Sequence, residues 1–132
     1  MKIIIPGEPR GKQRPRFGHG TTYTPSETVK YEKEVKALFY QAGGKKISGP
    51  VKLEIAAFYG IPQSAPSEKR NRMDDGEILP QKKPDLDNVV KIIMDGLNGA
   101  AYDDDKQVVG ITAYKLYDYS PQVMVTITGV EL

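Results

Sequence analysis

The amino-acid sequence predicts an α+β fold, a mixed β-sheet with two helices packed on one face, in the order β-α-β-α-β-β. Three observations predict it. Two segments repeat apolar residues every three or four positions, others alternate apolar with polar residues, and Gly- and Pro-rich stretches separate them. A chain of 132 residues suits one domain spanning 1–132, and it carries no internal repeat or interdomain linker.

Lys2–Ile5 reads as a short entering strand. Residues 7–17 (Gly-Glu-Pro-Arg-Gly-Lys-Gln-Arg-Pro-Arg-Phe) are expected to stay out of regular structure, because Pro and Gly interrupt them. A helix should begin near Thr24-Pro-Ser-Glu27, with Thr24 as cap, Pro25 at the first helical position and Glu27 completing a capping box. Tyr31, Val35, Leu38, Phe39 and Ala42 then recur at helical spacing toward a core, until Gly43-Gly44 ends the helix. Val51, Leu53, Ile55, Ala57 and Tyr59 alternate as a half-buried strand does. From Gly60 to Pro84 no period persists, so a long loop is expected, of a length that in a compact domain is more often functional than idle. A second helix should start around Asp85–Asp87 and run to about Asn98, burying Leu86, Val89, Val90, Ile93 and Leu97, with Gly99 closing it. After an acidic turn at Asp103–Asp105, strands at roughly 107–117 and 122–130 are joined by a turn at 118–121.

Composition narrows the chemistry. Apolar residues at 39% and charged residues at 27% are ordinary for a globular protein. With no cysteine, disulfides, thiolate nucleophiles and zinc–thiolate sites are excluded, which fits a cytoplasmic protein. The early apolar run Ile3–Ile5, closed by Pro6, is too short for a signal peptide or membrane span, so no membrane partner is expected. No glycine-rich phosphate loop ending in Lys-Ser/Thr is found, which argues against a nucleotide cofactor. The single histidine, His19, lies between Gly18 and Gly20 and reads as a loop residue; no Ser-His-Asp arrangement is suggested.

The net charge of +2 conceals an asymmetry. Residues 1–52 carry eleven Lys/Arg against four Asp/Glu, whereas residues 84–132 carry three against eight. Either this is a solvated imbalance, or a basic surface adjoins a concentrated acidic site, as a polyanion substrate and a divalent cation would require. The acidic residues are not scattered. Asp85 and Asp87, two apart on an extended approach to a helix, project to one side, with Leu86 turned inward. Two carboxylates about 4 Å apart repel by about 4 kcal/mol at an effective dielectric near 20. A hard cation removes that cost, and oxygen-only ligands select Mg²⁺ or Mn²⁺. Helix capping is the competing explanation, and it accounts for one of the two better than for both. Lys91, four residues past Asp87 and on the same helix face, is either a surface ion-pair partner or a phosphate contact; Asp95, a turn further, is expected to be solvated.

The stretch Lys83-Pro-Asp-Leu-Asp-Asn-Val-Val-Lys-Ile-Ile-Met-Asp-Gly-Leu-Asn-Gly99, followed by Asp104-Asp-Lys-Gln-Val108, resembles the signature of the RusA-type crossover-junction endodeoxyribonucleases. Ile5-Pro-Gly-Glu-Pro-Arg-Gly-Lys-Gln-Arg-Pro-Arg-Phe17 and Tyr23-Thr-Pro25 are similar to that family's N-terminal half, so the likeness spans nearly the whole chain. The resemblance implies a homodimer that resolves four-way (Holliday) DNA junctions by paired nicks, using Mg²⁺ with Mn²⁺ as substitute. Asp85, Asp87 and Asp105 match the family's metal-binding aspartates and Lys91 its catalytic lysine. Asp104 adjoins Asp105 and would take its place on a one-residue slip of register.

Given DNA as the partner, Arg10, Lys12, Arg14 and Arg16 space cations along the N-terminal segment, where each phosphate neutralised would release counterions. Phe17 beside them could stack on an unpaired base or fold back into the core. Lys82 and Lys83 are placed to guide phosphate toward the aspartates, whereas Lys69, Arg70 and Arg72 are blunted by Asp74, Asp75 and Glu77. Two rival readings remain: a nuclease for flaps or other branched DNA, and a junction-binding protein that does not cut. The second gains nothing from negative charge beside phosphates.

Overall fold

The computed structural model describes residues 1–18, 20–23 and 25–131. His19 and Thr24, expected as a loop residue and a helix cap, lie outside the described residues. The order is β1 (Lys2–Pro6), β2 (Arg16–Gly18), β3 (Thr21–Tyr23), α1 (Ser26–Gln41), β4 (Val51–Gly60), α2 (Ser67–Asp74), α3 (Leu86–Leu97), β5 (Val108–Asp118) and β6 (Gln122–Gly129).

Four strands form a mixed sheet in the order β1-β6-β4-β5. β6 runs antiparallel to both β1 and β4, and β4 runs parallel to β5. A parallel pair needs a crossover, and α2 and α3 lie on the path that supplies it. Along β4 the alternation is strict: Val51, Leu53, Ile55, Ala57 and Tyr59 are buried, while Lys52 and Glu54 are exposed. These residues join Ile3, Ile5, Val123, Val125 and Ile127 from the neighbouring strands and Tyr31, Val35, Phe39, Val89, Ile92, Ile93 and Leu97 from α1 and α3 in one hydrophobic cluster. The expected α+β arrangement, with α1 and α3 against a mixed sheet, is the observed one. Gly96 lets the two helices approach closely: a Cβ there would meet the Val35 Cβ at 2.9 Å and the Glu32 carbonyl oxygen at 3.2 Å.

Four local expectations need correction. Arg16 and Phe17, expected in irregular chain, stand in β2, which pairs antiparallel with β3, Arg16 with Tyr23 and Phe17 with Thr22. The loop after β4 contains α2, whose sequence SEKRNRMD buries only Met73 and so offers no apolar period to read. Helix α1 starts at Ser26 with Pro25 at the N-cap rather than the first helical position, and Glu27 in its first turn lies 3.9 Å from Arg10. At the far end of α1, Ala42 is exposed rather than buried.

Candidate active site

Helix α3 begins at the mouth of a cleft of about 480 Å³, walled by Pro9–Gln13 on one side and by Lys83, Pro84, Asp85 and Asn88 on the other. The N-terminal segment is fastened there by backbone and by charge. The Lys12 amide donates to the Asn88 carbonyl at 2.9 Å. Gly11 passes so close that a Cβ would stand 2.8 Å from the Pro84 Cβ and 3.2 Å from that of Asn88. Arg10 and Lys83, both exposed, put cationic groups on the same cleft as Asp85.

The Lys12 ammonium does not face solvent with them. It lies 2.7 Å from Glu32 on α1 and 3.0 Å from Asp95 on α3, in a group whose side chains are 17–24% exposed. Burial alone would lower its pKa, but the two carboxylates more than reverse that and hold it above the ordinary lysine value. Lys12 is therefore a strut between segment and helices rather than one of the solvent-facing cations expected there. Asp95 is correspondingly its partner, not a solvated residue.

Asp85 is the α3 N-cap by position, yet its side chain makes no capping hydrogen bond, so capping does not account for this exposed carboxylate. Asp87, in the first turn, accepts from the Asn88 amide at 2.9 Å through Oδ1, which leaves Oδ2 free of that bond. Both sit where the helix dipole favours negative charge. Lys91 is exposed one turn further along, and no salt bridge joins it to Asp87.

Asp105 is elsewhere. It accepts from Asn98 Nδ2 at 3.1 Å, and Asn98 caps the C-terminal end of α3. The twelve residues of α3 separate it from Asp85 by about 18 Å of helix axis. Partial burial, and then the charge of Asp95, raise its pKa above the ordinary carboxylate value. Behind it Tyr102 is fully buried and donates to the Met94 carbonyl at 2.9 Å. Burial and then Asp105 push its phenol up as well. Asp104 is committed to the local backbone, where it caps the 3₁₀ turn Asp105–Gln107 by accepting from the Lys106 amide at 2.9 Å. Gln107 completes that cap by accepting from the Asp104 amide at 3.2 Å and accepts also from the Asp103 amide at 2.8 Å, while its own Nε2 donates to the Ile47 and Gly49 carbonyls. Asp103 pairs with Lys46 at 2.8 Å.

Among the described residues, no three His, Cys, Asp or Glu side chains gather closely enough to hold one metal ion. The expected convergence of Asp85, Asp87 and Asp105 does not occur within one chain, because the helix between them holds them apart. The Asp85–Asp87 pair is still chemically suited to Mg²⁺, which is commonly bound through one or two carboxylates, with waters and substrate phosphate completing its shell.

The remaining expected residues fall around this centre. Lys82 and Lys83 are exposed on the segment leading into Asp85, and the Lys82 ammonium stands 5.8 Å from the Tyr117 ring centroid. Arg14 and Arg16 are exposed beyond the cleft, and Phe17 is 75% exposed on the hairpin, not folded into the core. Arg72 is occupied by Glu77 at 3.1 Å, in keeping with a blunted second basic cluster. Two residues that the sequence pattern did not place at the site touch the same 82–84 segment: Tyr59 Oη donates to the Pro84 carbonyl and Lys115 Nζ to the Lys82 carbonyl. A lysine at an inward-facing strand position was the signal available for the second.

The protein-family model described as "Endodeoxyribonuclease RusA" matches residues 6–128. The chain is also 33% identical over 138 aligned positions to the uncharacterized protein YqaN of Bacillus subtilis (strain 168), covering 98% of this chain and 96% of that protein. With its exposed Asp85–Asp87 pair beside a cationic cleft and a family match over nearly its whole length, this chain belongs to the RusA endodeoxyribonuclease family.

Proposed function

We propose that this protein is a Mg²⁺-dependent endodeoxyribonuclease that resolves four-way DNA junctions by paired phosphodiester cuts, with Mn²⁺ able to substitute. The RusA family consists of Holliday-junction endonucleases. The observation that carries the reading for this chain is Asp85: an exposed carboxylate at a helix start, uncommitted to capping, on the wall of a cleft shared with Arg10 and Lys83. A pure DNA binder would be weakened by such a group.

In this reading Asp85 and Asp87 hold the ion. When bound, a hard divalent cation offsets charge on the phosphate and activates water. Lys91, on the exposed face one turn past Asp87, supports charge developing at the phosphate, and Arg10, Arg14, Arg16, Lys82 and Lys83 engage the flanking backbone. A homodimer supplies two matching sites for strands of opposite polarity. Because Asp105 stands past the far end of α3, antiparallel α3 helices about the twofold axis would be needed to add the partner subunit's Asp105 to the Asp85–Asp87 pair. The protein would act in the cytoplasm.

The test is a panel of end-labelled substrates (four-way junction, flap and linear duplex) incubated with the protein in Mg²⁺, Mn²⁺ or EDTA. Symmetric nicks on the junction in either metal support resolution. Preferential flap cutting replaces resolution with branched-DNA processing, and binding without product in either metal refutes the enzyme.

A further inference from the structure

Asp85 is the residue the proposed function leans on, and among the described residues its side chain has no hydrogen-bond or ion-pair partner. The backbone leading into it is instead gripped at two carbonyls. The Lys82 carbonyl accepts from Lys115 Nζ at 2.6 Å, and the Pro84 carbonyl, immediately before Asp85, accepts from Tyr59 Oη at 2.5 Å. Both donors stand on the helix-facing side of the sheet at the C-terminal ends of the parallel strands β4 and β5, where Ala57 is in register with Lys115 and Tyr59 with Tyr117.

The two donors also support each other. The Lys115 ammonium lies 5.0 Å from the centroid of the Tyr59 ring, over its face, and no carboxylate pairs with it among the described residues. The half-buried Lys115 thus places its ammonium, through an exposed bond, between a ring face and a loop carbonyl. Tyr59 is 1% exposed, so its hydroxyl has no water to turn to if the Pro84 carbonyl moves. Burial, and then the negative charge of Asp85 itself, push the Tyr59 phenol up to about 12, so it remains a proton donor throughout the working pH range.

We propose that Lys115 and Tyr59 are positioning residues, which fix the 82–84 backbone and thereby set where the Asp85 carboxylate meets the cleft. Neither touches the DNA or the ion. The inference rests on the proposed nuclease reading for its functional consequence, but the geometric part stands apart from it. Position matters steeply in such sites: a displacement of about 1 Å can cost about a hundredfold in rate.

The variants are Tyr59→Phe, which removes one oxygen and keeps the ring, Lys115→Met, Lys115→Arg and the Tyr59→Phe/Lys115→Met double. Three measurements separate positioning from general damage. Under single-turnover conditions with saturating protein, junction cleavage should fall about tenfold or more in Tyr59→Phe and Lys115→Met, while Lys115→Arg retains most of the rate. Junction affinity in EDTA should stay within about twofold of wild type, because no phosphate contact is lost. The double variant should fall well short of the product of the single effects, because both donors hold one segment. Amide exchange on the protein alone reads the geometry without catalysis: the Asn88 and Val89 amides, both bonded to the Asp85 carbonyl at 3.1 Å, should exchange faster in each single variant. Unchanged cleavage, or a loss found wholly in affinity, overturns the functional claim. Should wild-type protein cut no junction, the proposed nuclease falls on its own, and the exchange rates still decide whether these donors hold Asp85; unchanged exchange overturns that.

Discussion

Replacing Lys12 with methionine removes one ammonium and retains most of the side-chain length. In the structure that ammonium is 2.7 Å from Glu32 and 3.0 Å from Asp95, so its loss leaves two carboxylates facing one another across the α1–α3 contact. At an effective dielectric near 20 each attraction is worth about 6 kcal/mol before desolvation is charged against it. Breaking a fully buried pair costs about 3–5 kcal/mol net, and these side chains, about one-fifth exposed, belong below that range. The expected loss is about 2–3 kcal/mol, or about 8–12 °C in Tm for a chain of this size. Urea denaturation at neutral pH measures it, and the triple variant Lys12→Met/Glu32→Gln/Asp95→Asn should recover most of the loss. Because the folded-state pKa of Lys12 is raised above 10.5, its contribution is fully present below that value. It is lost only as pH rises through the folded pKa. A Lys12→Met protein as stable as wild type, whose junction binding has lost about one phosphate's worth of salt dependence (a log–log slope change of about 0.9), would refute the strut and return Lys12 to the DNA surface.

Three further outcomes follow from the same geometry. Arg14→Ala/Arg16→Ala should leave Tm unchanged, since both side chains are exposed, and lower the slope of log affinity against log salt by about 2; an unchanged slope removes this segment from the DNA surface. Asp105→Asn should raise Tm at neutral pH, because burial and Asp95 make the charged form unfavourable in the folded state. A carboxyl with a raised folded pKa gains stability as pH falls through that pKa, so wild type should approach the variant on acidification, and a lower Tm for the variant at neutral pH would contradict this. Gly96→Ala should cost about 1–2 kcal/mol: overpacking against Val35 at 2.9 Å costs about 1–3 kcal/mol, and the helix preference for Ala over Gly returns up to about 1. A stabilised Gly96→Ala protein would show that α1 and α3 can separate cheaply.

What was legible in the sequence follows physical lines. Helices α1 and α3 and the sheet strands were readable because one face of each is buried, or in β5 partly buried, which imposes a period. Tyr31, Val35 and Phe39 on α1 and the five alternate residues of β4 are the core that produced the pattern. Helix α2 buries a single side chain and left no pattern, and the β2–β3 hairpin pairs only three residues per strand next to glycine and proline. In the site, the spacing of Asp85 and Asp87 was informative because it is local. The separation of Asp105 was already implied by the helix expected from about Asp85 to Asn98, whose twelve observed residues set it about 18 Å away; grouping the three aspartates rested on the family likeness alone. Lys12 looked like its cationic neighbours, and only the positions of Glu32 and Asp95 distinguish it. Lys115 was hidden for the opposite reason, a charge on the inward side of a strand whose partners are a ring and a carbonyl that no sequence pattern brings together.

The proposed chemistry depends above all on Asp85 and Asp87 gripping a hard cation against a DNA phosphate. Mn²⁺ titration followed by electron paramagnetic resonance, on wild-type protein bound to a four-way junction with non-hydrolysable linkages at its centre, tests it directly. Mn²⁺ should be taken up by the wild-type complex, uptake should be lost in Asp85→Asn and Asp87→Asn, and both variants should still bind the junction. Wild-type complex that takes up no Mn²⁺ beyond the DNA alone, or variants that take it up as wild type does, would contradict the assignment.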